Sequence, residues 1–343
     1  MLALLGGLGG SSCKPQGPPS QRAFYVWRTT LSLSERERAS LHALHAGRLY
    51  LRVFDVDHDP ASMLGPQTIA KVALAEGLAL PPGADLVPVV FLRERLFRAM
   101  TAARAQTLAA EVLKQTREAI APLHAQPHEL QLDCDWTDMT REAYFAFLNA
   151  LTPLAREAGM TLSATIRLHQ IKFRERTGVP PVARGMLMFY GMGRAGPSDT
   201  DRGIFDAGLA AQYLSRLPEY PLPLDVALPI WSWVVQVRDD RPLALLQALD
   251  PAQLASMPKL EARGDHRYLV REDTFVDGVF LRAGDALKVE SPSSAEVLEA
   301  ARLLAPHLPP RKSGRAVALF DLSERNLARH DDDSLGKLFD AVP

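Results

Sequence analysis

Cysteine is nearly absent from this chain: two residues in 343, Cys13 near the start and Cys134 inside an apolar run, so a disulfide framework is excluded. Net charge is lacking too, with 39 Lys and Arg against 40 Asp and Glu, which leaves none of the broad basic field that binding to nucleic acid or acidic lipid requires. No nucleic-acid partner is expected. No apolar run is long enough to cross a bilayer. Cofactor signatures are also missing. The early GGLGG precedes no strand and has no lysine-serine pair, and Gly191-Met192-Gly193 has no third glycine opening a helix. Neither a serine elbow nor a zinc-type histidine spacing occurs, so no cofactor is expected.

What is present is an ordinary globular composition, 47% hydrophobic and 23% charged. The first residues, MLALLGGLGGSSC, form a short apolar stretch that ends in small residues and a cysteine, followed by the Pro-rich KPQGPPSQ. That pattern reads as a bacterial lipoprotein signal with Cys13 as the lipidated residue and residues 1–22 as signal and tether. It departs from the pattern in having no basic residue before the apolar stretch and Gly10 where leucine is preferred. The expected location is the bacterial envelope, lipid-anchored or periplasmic, with the membrane touched through the anchor only. The alternative is a disordered tail on a cytoplasmic protein.

From Ala23 onward, short apolar runs alternate with amphipathic segments, the pattern of βα units around a parallel sheet. Eight strands are predicted at 23–27, 48–56, 86–92, 129–136, 161–168, 185–190, 224–233 and 315–322. The fold class expected is α/β, a (β/α)₈ TIM barrel over 23–343. An open doubly wound sheet is the competing architecture. Between the last two strands lie too many residues for one helix and its loops, and HRYLVREDTFVDGVFLRAGDALKVE alternates around Asp277-Gly278 and Gly284-Asp285. A small β insertion at about 238–290 is predicted there. Helices are predicted after Ser34, whose capping box closes on Glu37, and over about 102–120 and 140–158, the last burying Tyr144, Phe147, Leu148 and Leu151.

Barrel enzymes carry their chemistry at the carboxyl ends of strands. The densest polar cluster there is Gln131 to Asp138, with Asp133 and Asp135 two apart and therefore on one face. As catalytic candidates they compete with a structural reading as helix caps or arginine partners. Ser163, Thr165, Arg167 and His169 share one face of the fifth strand. An inward face would bring Arg167 beside both aspartates, lowering their pKa values. All four tryptophans, Trp27, Trp136, Trp231 and Trp233, lie at ends of predicted strands, where indole faces suit the C–H edges of sugar rings. Core filling is the plainer reading for two of the four. Asp55, Asp57 and Asp59 would share a side around His58, but the spacing matches no metal loop and Pro60 marks a turn, so no metal is expected.

The fourth-strand segment resembles the D-x-x-D-x-D-[WFY]-E motif of glycoside hydrolase family eighteen, the chitinases and their relatives. Asp133 and Asp135 match its second and third aspartates and Trp136 its aromatic. Leu130 stands in place of the first aspartate, and Thr137 in place of the catalytic glutamate. MLMFYGMG is similar to the family's sixth-strand M-x-Y, whose tyrosine, here Tyr190, helps position the substrate's acetamido group. LDVALPIWSW resembles the seventh strand, with Pro229 and Trp231 in place and Ala227-Leu228 where glycine is usual. The pattern around FYVWRTT and LRVFDVDHD also resembles an uncharacterised bacterial family of predicted lipoproteins.

The resemblance implies a cleft for an oligosaccharide or polysaccharide, bound through Trp27, Trp136, Arg167, His169, Tyr190, Trp231 and Trp233. Threonine cannot serve as a proton donor near neutral pH, so direct carry-over of chitinase activity is ruled out. Three readings remain: a sugar-binding protein, a hydrolase or lyase with a relocated acid, or a scaffold or assembly lipoprotein. For the relocated acid the chain offers Asp55, Asp57, Glu94, Asp321 and Glu324, with Asp57 or Glu324 the first choices to partner Asp135.

Overall fold

The computed structural model describes residues 20–58, 65–193, 195–198, 202–247, 249–264, 266–276, 278–309, 311 and 314–343. The expected lipidation site Cys13, and Asp59 of the weighed cation run, lie outside the described residues. Among the described residues no helix is long and apolar enough to cross a membrane.

Eight parallel strands form the barrel: β1 (Gln21–Val26), β2 (Arg48–Asp57), β3 (Asp85–Leu92), β4 (Glu129–Asp133), β5 (Thr161–Arg167), β6 (Arg184–Met188), β7 (Leu224–Pro229) and β8 (Ala316–Phe320). Each pairs with its neighbours in chain order, and β8 returns to β1 through Gln21↔Ala316 to Phe24↔Leu319. Pairing of β1 with β2 leaves no open edge, so the doubly wound alternative is excluded and the predicted barrel is borne out.

Strand alternation divides the core in two. Ala23, Tyr25, Tyr50, Val87, Val89, Met186, Met188, Ala227 and Ala318 point inward and fill the barrel. Their neighbours Phe24, Leu49, Leu51, Val90, Leu130, Leu132, Leu187 and Leu319 point outward against the helices. Helix α1 (Glu35–Ala43) starts at the Ser34/Glu37 capping box, α2 (Ala102–Ile120) buries Ala105, Leu108 and Val112, and α3 (Arg141–Glu157) buries Tyr144, Phe147, Leu148 and Leu151.

The barrel floor is ionic. Arg48 donates to Asp85 at 2.9 Å and to Glu129 at 2.5 Å, and Arg311 donates to Asp225 at 2.5 Å. At the other end the strands finish in polar and aromatic residues.

Between β7 and β8 the chain builds a five-stranded antiparallel sheet, ordered Arg241–Leu246, Trp233–Arg238, Ala286–Glu290, Arg267–Val270 and Leu260–Ala262. A separate apolar cluster that includes Val234, Leu246, Leu254, Val270 and Leu287 holds it. Its first strand opens at Trp233, so this tryptophan belongs to the inserted sheet rather than to the seventh barrel strand as predicted.

Candidate carbohydrate site at the barrel mouth

Two adjacent strands supply the polar centre. Parallel pairing sets Gln131 opposite Ser163, and continuing inward along both strands sets Asp133 opposite Thr165 and Asp135 opposite Arg167. Each rung is hydrogen-bonded. Gln131 Nε2 donates to Ser163 Oγ at 3.3 Å, Thr165 Oγ1 to Asp133 Oδ1 at 2.6 Å, and Arg167 Nε to Asp135 Oδ1 at 2.6 Å. Tyr25 Oη, from across the barrel, completes the lowest rung by donating to Gln131 Oε1 at 2.5 Å.

The rungs rise from dry to wet. Asp133 is buried at 3% exposure, whereas the Asp135 side chain is 50% exposed. Burial pushes the Asp133 carboxyl up to about 6, assisted by the neighbouring Asp135 charge and opposed by Arg167 and the Thr165 hydroxyl. The sequence led us to expect Arg167 to lower both aspartates. At Asp133 its attraction is outweighed by loss of solvent. Arg167 itself loses solvent as well, but Asp135 and Asp133 more than compensate and raise its pKa. It stays a cation, its guanidinium carbon 5.9 Å from the Tyr190 ring centroid.

Aromatic residues wall this centre. Tyr190, beyond β6, meets Trp231 edge to face at 4.5 Å. Phe320 at the end of β8 contacts Trp231 at 5.2 Å, Tyr190 at 5.6 Å and Trp27 at 5.5 Å. Trp27 also meets Phe91 at 6.3 Å and lies under the Arg52 guanidinium at 5.8 Å. Trp231, Trp27 and Phe320 are only partly buried, leaving ring surface at the mouth.

Several predicted site residues lie elsewhere. Trp136 is fully buried in the layer between barrel and helices, stacked on Tyr144 at 5.3 Å with its Nε1 donating to Thr177 O at 2.8 Å. The phase that turns Asp133 and Asp135 inward turns Cys134 and Trp136 outward, so Trp136 cannot line the cleft. Trp233 is half-buried and donates its Nε1 to Glu290 Oε2 at 2.9 Å, although its ring still touches Trp231 at 6.4 Å.

His169 sits exposed in the short helix Leu168–Lys172 that follows Arg167, its pKa lowered chiefly by desolvation. It leaves the strand face because the chain turns helical one residue earlier. Asp57 is gripped by Arg95 on both oxygens, at 2.6 and 2.5 Å, and that hydrogen bond holds its carboxyl below the usual range, which disqualifies it as a proton donor. Glu324 is exposed and lines a surface hollow with Arg36, Leu327 and Asp331, so it does not partner Asp135.

Two participants carry no signal in a count of tryptophans: Phe91 and Phe320. Alternation along β3 and β8 marks both phenylalanines as inward. Among the described residues, no group of three His, Cys, Asp or Glu side chains is placed to hold a metal ion.

No protein-family model matches the sequence, and no curated protein matches it. Solved structures do match. The spore cortex-lytic enzyme SleL of Bacillus cereus superposes with a TM-score of 0.53 at 13% identity, over 96% of this chain and 76% of that one. A class V chitinase of Pseudomonas fluorescens Pf-5 gives 0.54 at 12% identity, over 93% and 98%. A plant class V chitinase mutant from Cycas revoluta, solved with (GlcNAc)3, gives 0.52 at 11% identity, over 94% and 99%. The closed eight-stranded barrel of this chain is thus the fold of chitinase-type barrels, as the fourth-, sixth- and seventh-strand segments led us to expect.

Proposed function

We propose that the barrel mouth binds an oligosaccharide containing N-acetylated sugars. The observation that carries this reading is a half-exposed carboxylate, Asp135, held by Arg167, which lies 5.9 Å from the buried Tyr190 ring that packs against the partly open rings of Trp231 and Phe320. Sugars ask for this combination: ring faces for their C–H edges and fixed charged acceptors and donors for their hydroxyls. Arg167 holds Asp135 closely at Oδ1, at 2.6 Å, and only at 3.5 Å at Oδ2, so the half-exposed carboxylate keeps acceptor capacity for a hydroxyl or amide. The likeness to a chitinase solved with (GlcNAc)3 supports the choice of sugar class.

On the same reading the chain is exported and held to the membrane through Cys13, which places the mouth among envelope glycans. Labelling of expressed protein with radioactive palmitate, lost in Cys13→Ser, is the expected result; unlabelled parent protein sinks the anchor. The binding test is calorimetry of the full chain against (GlcNAc)3, peptidoglycan fragments and oligosaccharides without acetamido groups. Binding of the acetylated sugars, weakened in Asp135→Asn, is expected, and heat from none of them would refute the proposal.

A second reading, a scaffold for another envelope protein, draws on one observation. Phe275 and Phe280 lie 5.1 Å apart on the hairpin formed by Thr274–Val276 and Val279–Leu281 and are 72% and 44% exposed. Absence of sugar binding would favour it.

A further inference from the structure

We propose that Glu94 supplies the carboxyl that position 137 lacks, so that with Asp135 it makes the mouth a glycoside hydrolase; this rests on the sugar-binding reading above. Glu94 opens the turn Glu94–Phe97 directly after β3, and Thr137 Oγ1 donates to its Oε1 at 3.4 Å. The oxygens of a glutamate side chain lie two atoms beyond threonine's hydroxyl oxygen. A carboxyl within reach of Thr137 Oγ1 therefore stands near where a glutamate at 137 would hold its own.

The inward face of β4 continues past its last paired residue. Burial alternates through Cys134, Asp135, Trp136 and Thr137, so Asp135 and Thr137 both reach the mouth. Residues two apart on extended chain are separated by about 6.6 Å. Glu94 beside Thr137 is thereby brought to a separation from Asp135 of the order glycoside hydrolysis uses, about 5 to 9.5 Å between carboxyls.

Other anchors leave Glu94 usable. Arg98 holds only Oε2, at 2.8 and 3.0 Å, and its own side chain is 67% exposed. Such a pair is weak and screened by solvent, so a sugar oxygen can compete for the carboxyl. Asp57, by contrast, is held on both oxygens by Arg95.

In the step assigned to it, protonated Glu94 gives its proton to the glycosidic oxygen. The C1–O bond breaks, its electron pair leaving with that oxygen as an alcohol, while the Asp135 carboxylate faces the positive charge at C1. Water then forms a new C1–O bond and returns a proton to Glu94. One water is consumed and nothing is oxidised or reduced.

The test uses the full chain with N-acetylglucosamine oligomers, following released sugar by chromatography and binding by calorimetry. Glu94→Gln should lower kcat by about 10² to 10⁴ while leaving Kd within about two-fold. Adding Thr137→Glu to Glu94→Gln should restore at least about tenfold of the lost rate, because the carboxyl returns to the same place by another route. Parent protein that binds the oligomers without turnover, or turnover indifferent to Glu94→Gln, overturns the assignment and leaves the binding reading standing. Loss of binding together with rate in Glu94→Gln reassigns the residue to binding and also overturns it. Absence of binding by the parent overturns both proposals.

Discussion

Trp136→Ala removes an indole that is fully buried against α3, stacked on Tyr144, and hydrogen-bonded through Nε1 to Thr177 O at 2.8 Å. Truncating a buried tryptophan costs about 3 to 5 kcal/mol in lost transfer energy and residual cavity. The Thr177 carbonyl also loses its donor, and a buried acceptor left without one costs about 1 to 3 kcal/mol. The two losses overlap, so roughly 4 to 6 kcal/mol is expected, a large part of the 5 to 15 kcal/mol that holds most domains folded. Trp136→Phe keeps most of the ring and isolates the hydrogen-bond share, about 1 to 3 kcal/mol. Urea unfolding of the three proteins followed by circular dichroism gives the comparison. Any folded fraction of Trp136→Ala should bind sugar as the parent does. A loss below about 1 kcal/mol, within the range of ordinary surface substitutions, together with weakened sugar binding would refute the outward placement of this indole.

Three further outcomes are expected. Asp133 has a folded-state pKa of about 6 against an ordinary 3.8, so its contribution to stability is most favourable below pH 3.8 and is lost as pH rises toward 6. A rise of that size is worth about 3 kcal/mol, so Asp133→Asn should gain about 2 to 3 kcal/mol on the parent between pH 4 and pH 7; a gap that stays constant with pH would contradict it. Trp231→Ala should weaken sugar binding about two- to tenfold while changing the unfolding midpoint little, since its ring is partly open; unchanged affinity in calorimetry would remove it from the site. Arg48→Met should cost about 3 to 5 kcal/mol because Glu129 then stays buried with Arg184, 3.8 Å away, as its remaining cation among the described residues. Adding Glu129→Gln should recover part of that cost in urea unfolding, and a double variant worse than the single would argue against the ionic floor.

All eight barrel strands were legible because each is a short, largely apolar run, several of them rich in β-branched residues, buried on both faces. Closure was not legible. Strand count is the same in an open sheet, and the closing pair of β1 with β8 joins residues at opposite ends of the chain, Gln21 with Ala316. The helix starting after Ser34 was visible because its cap is local: Ser34 and Glu37 bond each other's backbone three residues apart. The first inserted strand was misassigned at its edge because LDVALPIWSW is apolar from Val226 to Trp231 and broken only by Ser232 before Trp233. No local signal separates Pro229, the last residue of β7, from Trp233, the first of the inserted sheet.

At the site, period alone determines which neighbours face each other, and where the period was applied the sequence was informative. Asp133 and Asp135 share a face, as do Ser163, Thr165 and Arg167, and the parallel register joins the two sets rung by rung. The same period applied one residue further would have sent Trp136 outward and kept Thr137 inward; reading Trp136 as a sugar platform set residue type above phase. His169 shows the limit of the rule, since a period of two ends where the backbone turns helical at Leu168. Partners from different strands are a separate matter. Nothing local distinguishes Asp57, Glu94 and Glu324, three carboxyls near strand ends, because what separates them is which side chain arrives opposite. Arg95 clasps Asp57, the surface hollow beside Arg36 takes Glu324, and Thr137 meets Glu94. That last contact joins β3 to β4, and in a parallel barrel adjacent strands finish at the same rim. On the assignment proposed above, that shared rim is what sets Glu94, from the preceding strand, beside position 137.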